Sequence, residues 1–337
     1  MSTSRVIVVL GATGGQGSGV VAALLNDASG ERWSVHAVTR DPSSERAQKL
    51  VAENQTPDGR LSVVYGDQHD PESLRKAMEG AYGVFAAVSE MIPGTWFIKE
   101  EEVAHELEAG RNIVDAAKHN SVEHFVFSSM PDMIKATAGR YTKLHHMHNK
   151  FLTEQYARTH LDAVTCLIAG FFYANNTWSH YARRQSDGVV CFSAPFPSSK
   201  AAQWVDASYD MGRFAARVFS LGKDKTKGKV YPVMSPKITM NEMVSMFTSV
   251  TGQPAIHSPL SADEWARMAS DMVGPAFRED FTQMMEWTAT TPDDKICFGA
   301  LDPEEDRSKE ELGLTASTFA DWLKRTGWTG PAAASSS

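Results

Sequence analysis

The chain has 337 residues, 42% of them hydrophobic and 9% aromatic, and its 33 Lys and Arg face 41 Asp and Glu for a formal net charge of -8. That is the composition of a globular protein with room for one large domain or two fused ones, and its acidity argues against nucleic acid or an anionic membrane surface as partner. Cys166, Cys191 and Cys297 are odd in number and lack C-x-x-C spacing, which suggests neither a disulfide framework nor a zinc site and points to a reducing, cytoplasmic setting.

In chain order, β-branched apolar runs predict strands over 6–10, 34–39, 61–65, 83–88, 124–128 and 163–168. Between them, amphipathic stretches predict helices over 15–26, 44–54, 71–80, 101–119 and 143–159. Continuous apolar strands alternating with helices are the pattern of a doubly wound parallel sheet, an α/β Rossmann fold. Residues 1–170 are assigned to this cofactor-binding domain, to which later segments can return. Beyond about Phe171 the rhythm becomes aromatic and loop-rich, with short helices predicted over 210–221, 240–251, 262–272 and 275–289. Residues 171–330 are assigned to a smaller, mixed substrate-binding cap lobe, and the low-complexity tail 331–337 is expected to be disordered. The most apolar stretch, 163–174, is too short to span a membrane.

The strongest motif is Gly11-Ala-Thr13-Gly14-Gly15-Gln16-Gly17, between the first predicted strand and the first predicted helix. Residues without a Cβ let backbone N–H groups and a helix N-terminus approach a pyrophosphate; the plainer explanation is a tight strand-to-helix turn. The second strand ends in Thr39-Arg40-Asp41, with Ser43 and Ser44 close by. The planar fork of Arg40 suits a 2′-phosphate, which favours NADP, whereas Asp41 would suit the free ribose of NAD.

With these residues in view, the sequence resembles the NmrA-like family, an atypical branch of the short-chain dehydrogenase/reductases. The likeness runs through Gly11 to Val20, Gly66-Asp67-Gln68, Gly110 to Lys118, Phe125 to Ser129, Ala138-Gly-Arg140, His146 to Lys150, Glu154-Gln-Tyr156 and Phe171 to Asn175, and weakens after about residue 235. It implies a Rossmann domain holding NADP(H) and a lobe forming the second wall of a cleft. By this resemblance Thr13, Gly14, Gly15 and Gln16 line the pyrophosphate, Arg40 faces the adenosine phosphate, and Asp67 and Gln68 flank the adenine. Ala86, Ala87 and Val88 lie under the cofactor, and Lys150 reaches the nicotinamide ribose.

The superfamily's Tyr-x-x-x-Lys pair reads His146-Met-His-Asn-Lys150 in this chain. Positions four apart share a helical face, and an imidazole titrates near neutrality, so His146 is the candidate that replaces the tyrosine; it is also explicable as a residue with no proton to move. Ser129, at the end of the fifth strand, resembles the superfamily serine that orients the substrate oxygen, though serines there also form caps and turns. His145, His146 and His148 have no acidic partner in a metal-binding pattern, so no metal is assigned. Glu100 to Glu102 complement a helix N-terminus, and Asp206 and Asp210 are expected to cap a helix.

The aromatics Trp96, Phe97, Phe171, Phe172, Tyr173, Trp178 and Tyr181, with Met130 and Asn175, fall on segments expected at the sheet's carboxyl edge or in the cap, and Trp265, Met284, Met285 and Trp287 could close over them. Such residues are more often core than cage. Those that face the cleft, with Trp96, Met130, Phe171, Phe172, Tyr173, Asn175 and Trp178 as the candidates, imply a sizeable, apolar, aromatic substrate. The leading expectation is an NADP(H)-dependent enzyme reducing a carbonyl or imine of a hydrophobic small molecule. The alternatives are a cyclisation of the Pictet-Spengler kind with the cofactor as a wall, and a non-catalytic redox sensor that acts on a protein partner.

Overall fold

The computed structural model describes residues 4–26 and 32–332; the expected disorder at the end of the tail, 333–337, lies outside them. Strands β1 (Arg5–Val9), β2 (Trp33–Thr39), β3 (Leu61–Tyr65), β4 (Gly83–Ala86), β5 (His124–Ser129) and β6 (Val164–Ala169) pair in parallel, with Val230–Val233 as a seventh strand beside β6. The order is Val230–Val233, β6, β5, β4, β1, β2, β3, and the reversal between β1 and β4 places a crevice at their carboxyl ends. β4, β5 and β6 are buried along their whole length, which is why their sequences are apolar without alternation. The covering helices include α1 (Gly15–Leu25), α2 (Glu45–Asn54), α3 (Pro71–Ala77) and α4 (His105–His119), with a further helix at His145–His160.

The 170/171 division is not a clean cut. Helix Tyr209–Leu221 packs on α1 and the strand Val230–Val233 completes the sheet, so chain from the second half returns to the first. Pro232 fits there because it stands on an edge strand. Two glycines set the helix spacing. A Cβ on Gly19 would fall 1.6 Å from the carbonyl oxygen of Ser208, and one on Gly212 would fall 2.3 Å from that of Gly19.

The lobe holds a small mixed sheet, Ala182–Arg184 with Val190–Phe192 and Ala255–His257, under helices Met240–Thr251, Ala262–Ser270 and Arg278–Thr290. Its core is aromatic: Tyr173, Tyr181, Phe192, Trp204, Phe247, Trp265 and Phe319 are all buried. Helix Phe319–Thr326 had been missed by periodicity, although Thr318 and Asp321 form a reciprocal cap at its start and Gly327 ends it at φ 65. Of the two expected caps, Asp206 does accept the Tyr209 N–H at 3.2 Å. Asp210 does not cap: fully buried, it accepts the backbone N–H of Ser317 at 2.9 Å and the Ser317 hydroxyl at 3.0 Å, fastening the C-terminal segment to helix Tyr209–Leu221.

Candidate active site

The glycine turn has the shape of an anion cradle. Gly11 sits at φ +66, and a Cβ on Gly17 would fall 2.2 Å from the Gly11 carbonyl oxygen, whereas nothing lies within 4 Å of one on Gly15. α1 therefore begins against its own turn and opens to the outside at Gly15. Its N-cap, Gly14, supplies no side-chain acceptor and its first turn holds no acid, so the helix N-terminus is left for an external anion. Gln16 Oε1 is buried and has no hydrogen-bond partner among the described residues. Across the crevice the Ala87 carbonyl lies 3.9 Å from where a Gly11 Cβ would be and accepts a hydrogen bond from Gln68 Nε2 at 3.1 Å. Gln68 is held in turn by Asn112, whose Nδ2 donates to the Gln68 carbonyl at 3.0 Å. Ala86 and Val88 are buried behind this edge, and β4 stops at Ala86 rather than Val88.

At the end of β2, Arg40 is exposed and has no hydrogen bond or ion pair among the described residues. Asp41 is committed: its Oδ1 takes the Ser43 hydroxyl at 2.6 Å and the Ser43 N–H at 2.9 Å, and these bonds lower its pKa. Ser44 caps α2. Asp67 is likewise tied, accepting the His69 N–H two residues on at 2.9 Å. The free cation beside a tied acid suits a 2′-phosphate better than a bare ribose.

A second group of residues gathers beyond β4, where Glu90, α4 and helix His145–His160 meet the lobe. Gly110 controls the approach: a Cβ there would fall 2.3 Å from Thr153 Oγ1. The close contact brings Glu106, one turn before Gly110, to Lys150, whose Nζ donates to Glu106 Oε1 and, at 2.9 Å, to the His146 carbonyl. Glu90 stands 3.8 Å from the same ammonium. From the lobe, Asp280 takes His146 Nδ1 at 2.6 Å on one oxygen and the His146 N–H at 2.8 Å on the other. The expected pair on one helical face is therefore present, and each member is held by a buried carboxylate.

The protonation states follow from these contacts. Burial pushes the Glu106 carboxyl up to about 7, against the pull of Lys150. Burial also opposes the charge on Lys150, but Glu106 and Glu90 outweigh it and the pKa is raised. His146 behaves alike: burial works against the imidazolium, and Asp280 reverses the balance, raising it. Glu90 is the opposite case, since burial would raise it and Lys150 and His146 hold it below the ordinary carboxylate value. Burial and His69 lower His105, whose ring stacks on Phe97 at 4.4 Å.

Ser129 is not brought into this group. It is 1% exposed, and its hydroxyl donates to Glu154 Oε2 at 2.6 Å while Arg158 holds the other oxygen at 2.8 Å. The aromatic candidates divide in the same way. Tyr173 is fully buried and stacks on Trp204, and Phe171 packs between Trp204 and Phe298. Trp96 is 54% exposed on the segment that reaches from β4 to the lobe, where Phe97 bonds to Val273 and Ala276. Met130, Trp178 and Ile92 are partly exposed at the fringe of the lobe core, whereas Phe172 packs against the core between the sheet, α1 and helix Tyr209–Leu221, and Asn175 is partly exposed. Trp265 and Met285 are core. Among the described residues no three His, Cys, Asp or Glu are grouped to hold a metal ion, and no helix is long and apolar enough to cross a membrane. Asp280, Glu106 and Glu90 are the site residues that sequence reasoning missed.

A seven-stranded parallel sheet with this order, joined to a smaller lobe with a mixed sheet, defines a Rossmann-like α/β protein. Within that class the chain belongs to the NmrA-like family, whose profile matches residues 3–323. It is 31% identical to the NmrA-like family domain-containing oxidoreductase hkm9 of Aspergillus hancockii over 95% of this chain and 91% of that protein. It is 28% identical to the oxidoreductase FrzB of Cladobotryum sp. over 92% and 90%. Among solved structures it resembles the negative transcriptional regulator NmrA in complex with NAD, with a TM-score of 0.69 at 20% identity over 97% of this chain and 93% of that one. The triphenylmethane reductase of Citrobacter sp. complexed with NADP(H) gives 0.67 at 20% over 95% and 99%. At these identities the likeness to the solved structures is one of fold.

Proposed function

We propose that the protein is an NADP(H)-dependent oxidoreductase that reduces a carbonyl or imine of a hydrophobic small molecule. The observation that carries this reading is the acid–base group His146, Asp280, Lys150 and Glu106 on the same sheet edge as an open glycine cradle. It is supported by relatives that bear the name oxidoreductase and by fold neighbours solved with NADP(H). The cradle fits a pyrophosphate, with Gly14, Gly15 and Gln16 around it, and Arg40 and Ser43 fit a 2′-phosphate.

When bound, the reduced nicotinamide supplies hydride. The chain's own part is to bind, orient and protonate. Lys150 offers a cation beside the ribose, kept charged by Glu106 and Glu90. Asp280 holds a proton on His146 Nδ1, so Nε2, which has no partner among the described residues, faces the cleft as donor while the ring is charged. A carbonyl oxygen that gains the electron pair of its C=O bond takes that proton, and the imidazole is left neutral. Met130, Trp178 and Ile92 offer apolar contact to an aromatic substrate.

The test is to follow absorbance of NADPH while purified protein is mixed with aldehydes, ketones and cyclic imines; a protein that binds NADPH yet consumes none with any of them is not a reductase of this class. One observation favours a second reading. The acid–base group is complete without a tyrosine and without hydride, which suits a cyclisation with the cofactor as a wall. Product formed equally well with NADP+ would select it.

A further inference from the structure

Each cation of the site has a carboxylate of its own. Lys150 bonds to Glu106 and His146 bonds to Asp280, and these two acids are 1% and 0% exposed. Glu90 is the acid left over. At 3.8 Å from Lys150 Nζ it lies beyond hydrogen-bond distance, no other side chain among the described residues donates to it, and its side chain is 27% exposed. The groups that face it from the elements packed around it are Lys150 and His146 on helix His145–His160, Glu106 and His105 on α4, and Tyr181 from the lobe. His105 is kept neutral by burial and by His69. The Glu106 carboxyl is itself raised to about 7; above that pH, with both ion pairs formed, the three carboxylates outnumber the two cations by one, and Glu90 is the carboxylate that meets solvent.

We infer that this site selects a substrate with a positive charge on nitrogen, an amine or iminium, and that Glu90 is its counter-ion. The inference rests on the proposed function and narrows its substrate class. An anionic substrate would meet the Glu90 carboxylate, which only Lys150 at 3.8 Å offsets, and like charges repel. A neutral one would take water from Glu90 without giving it a charged partner in return. A cationic nitrogen replaces that water with an ion pair.

Isothermal titration at about pH 8 with three probes that share a naphthylethyl frame and end in a cation, a neutral hydroxyl or an anion tests this: 2-(1-naphthyl)ethylamine, 2-(1-naphthyl)ethanol and 3-(1-naphthyl)propionate, each with and without saturating NADPH. The amine is expected to bind on the order of tenfold more tightly than the alcohol, with the propionate weakest, and Glu90→Gln is expected to abolish the preference among the three. Added salt should weaken only the amine. Should Glu90→Gln fail to fold, Glu90→Asp, which keeps the charge and should keep the preference, takes its place beside the salt series on the unaltered protein. Equal binding of amine and alcohol, tighter binding of the propionate, binding of none, or a preference that survives Glu90→Gln overturns the inference. Loss of NADPH binding by the unaltered protein instead overturns the proposed function, so the two failures are told apart.

Discussion

His146 Nδ1 and Asp280 Oδ1 are 2.6 Å apart, and the contact joins helix His145–His160 to a lobe helix, Arg278–Thr290. The charge on His146 and the seating of that lobe helix therefore depend on one bond. Asp280→Asn tests the link. The amide can still accept the backbone N–H but no longer stabilises the imidazolium, so burial and Lys150 act on His146 against Glu90 alone and its pKa falls below the ordinary value. The alkaline limit of activity, and the His146 titration followed by NMR, should both move to lower pH. Stability should fall by about 2 kcal/mol, as for loss of a hydrogen bond to a charged group. An unmoved His146 titration would refute the pairing.

Glu106 makes a prediction about stability and pH. Its pKa is raised by burial, from 4.5 to about 7, so folding favours its protonated form. A raised pKa contributes stability that is complete below the unfolded value and is lost as pH rises through the folded one. Thermal stability should therefore decline between about pH 4.5 and 7 by way of this group, and Glu106→Gln should flatten that part of the curve. His146, also raised, adds a decline that begins higher, above its ordinary 6.5. Melting curves across this range for both proteins decide it: an unchanged slope in Glu106→Gln would place the titration elsewhere.

Arg40 bears on which cofactor the cradle accepts. It is exposed and without a partner while Asp41 is tied to Ser43, so Arg40→Ala removes a charge and little packing. NADPH affinity should drop on the order of tenfold to a hundredfold, the range of charge-assisted hydrogen bonds to phosphate. NADH affinity should stay the same. Calorimetric titration of both nucleotides checks it, and an equal loss for the two would move the 2′-phosphate away from Arg40.

What could be read from the sequence was what is local. The glycine turn, Arg40 at the end of β2 and the apolar runs of β1 to β6 each show within a few residues, because a buried parallel strand and a Cβ-free bend impose their composition directly. The four-residue spacing of His146 and Lys150 is also local, and the helix realises it. The carboxylates that set their charge are not: Asp280 is 134 residues from His146 and Glu106 is 44 from Lys150, and neither stands in a motif. Ser129 was legible as a strand-end serine, but its bond to Glu154 depends on how helix His145–His160 lies against β5. The aromatics mislead for a different reason. A lobe core and a ligand cage draw on the same residues, and only packing separates Tyr173, buried, from Trp178 at the fringe.

The contact between α1 and helix Tyr209–Leu221 supplies a last prediction, because it ties the glycine turn to chain from the second half. Gly19 and Gly212 face one another so closely that neither has room for a methyl group: a Gly19 Cβ meets the Ser208 carbonyl at 1.6 Å and a Gly212 Cβ meets the Gly19 carbonyl at 2.3 Å. Both obstacles are backbone, which cannot rotate aside. In an ordinary exposed helix Gly→Ala stabilises by roughly 1 kcal/mol; at these two positions overpacking should reverse the sign and cost about 1–3 kcal/mol or more. Gly19→Ala should also weaken NADPH binding, since α1 must move away from Ser208 and its N-terminus carries Gly15 and Gln16. Denaturant unfolding of Gly19→Ala beside Gly15→Ala, which meets no protein atom within 4 Å, reads the packing cost, and nucleotide titration of Gly19→Ala reads its effect on the cradle. A Gly19→Ala protein as stable as the parent would mean that the two helices do not touch in solution as they do in this structure.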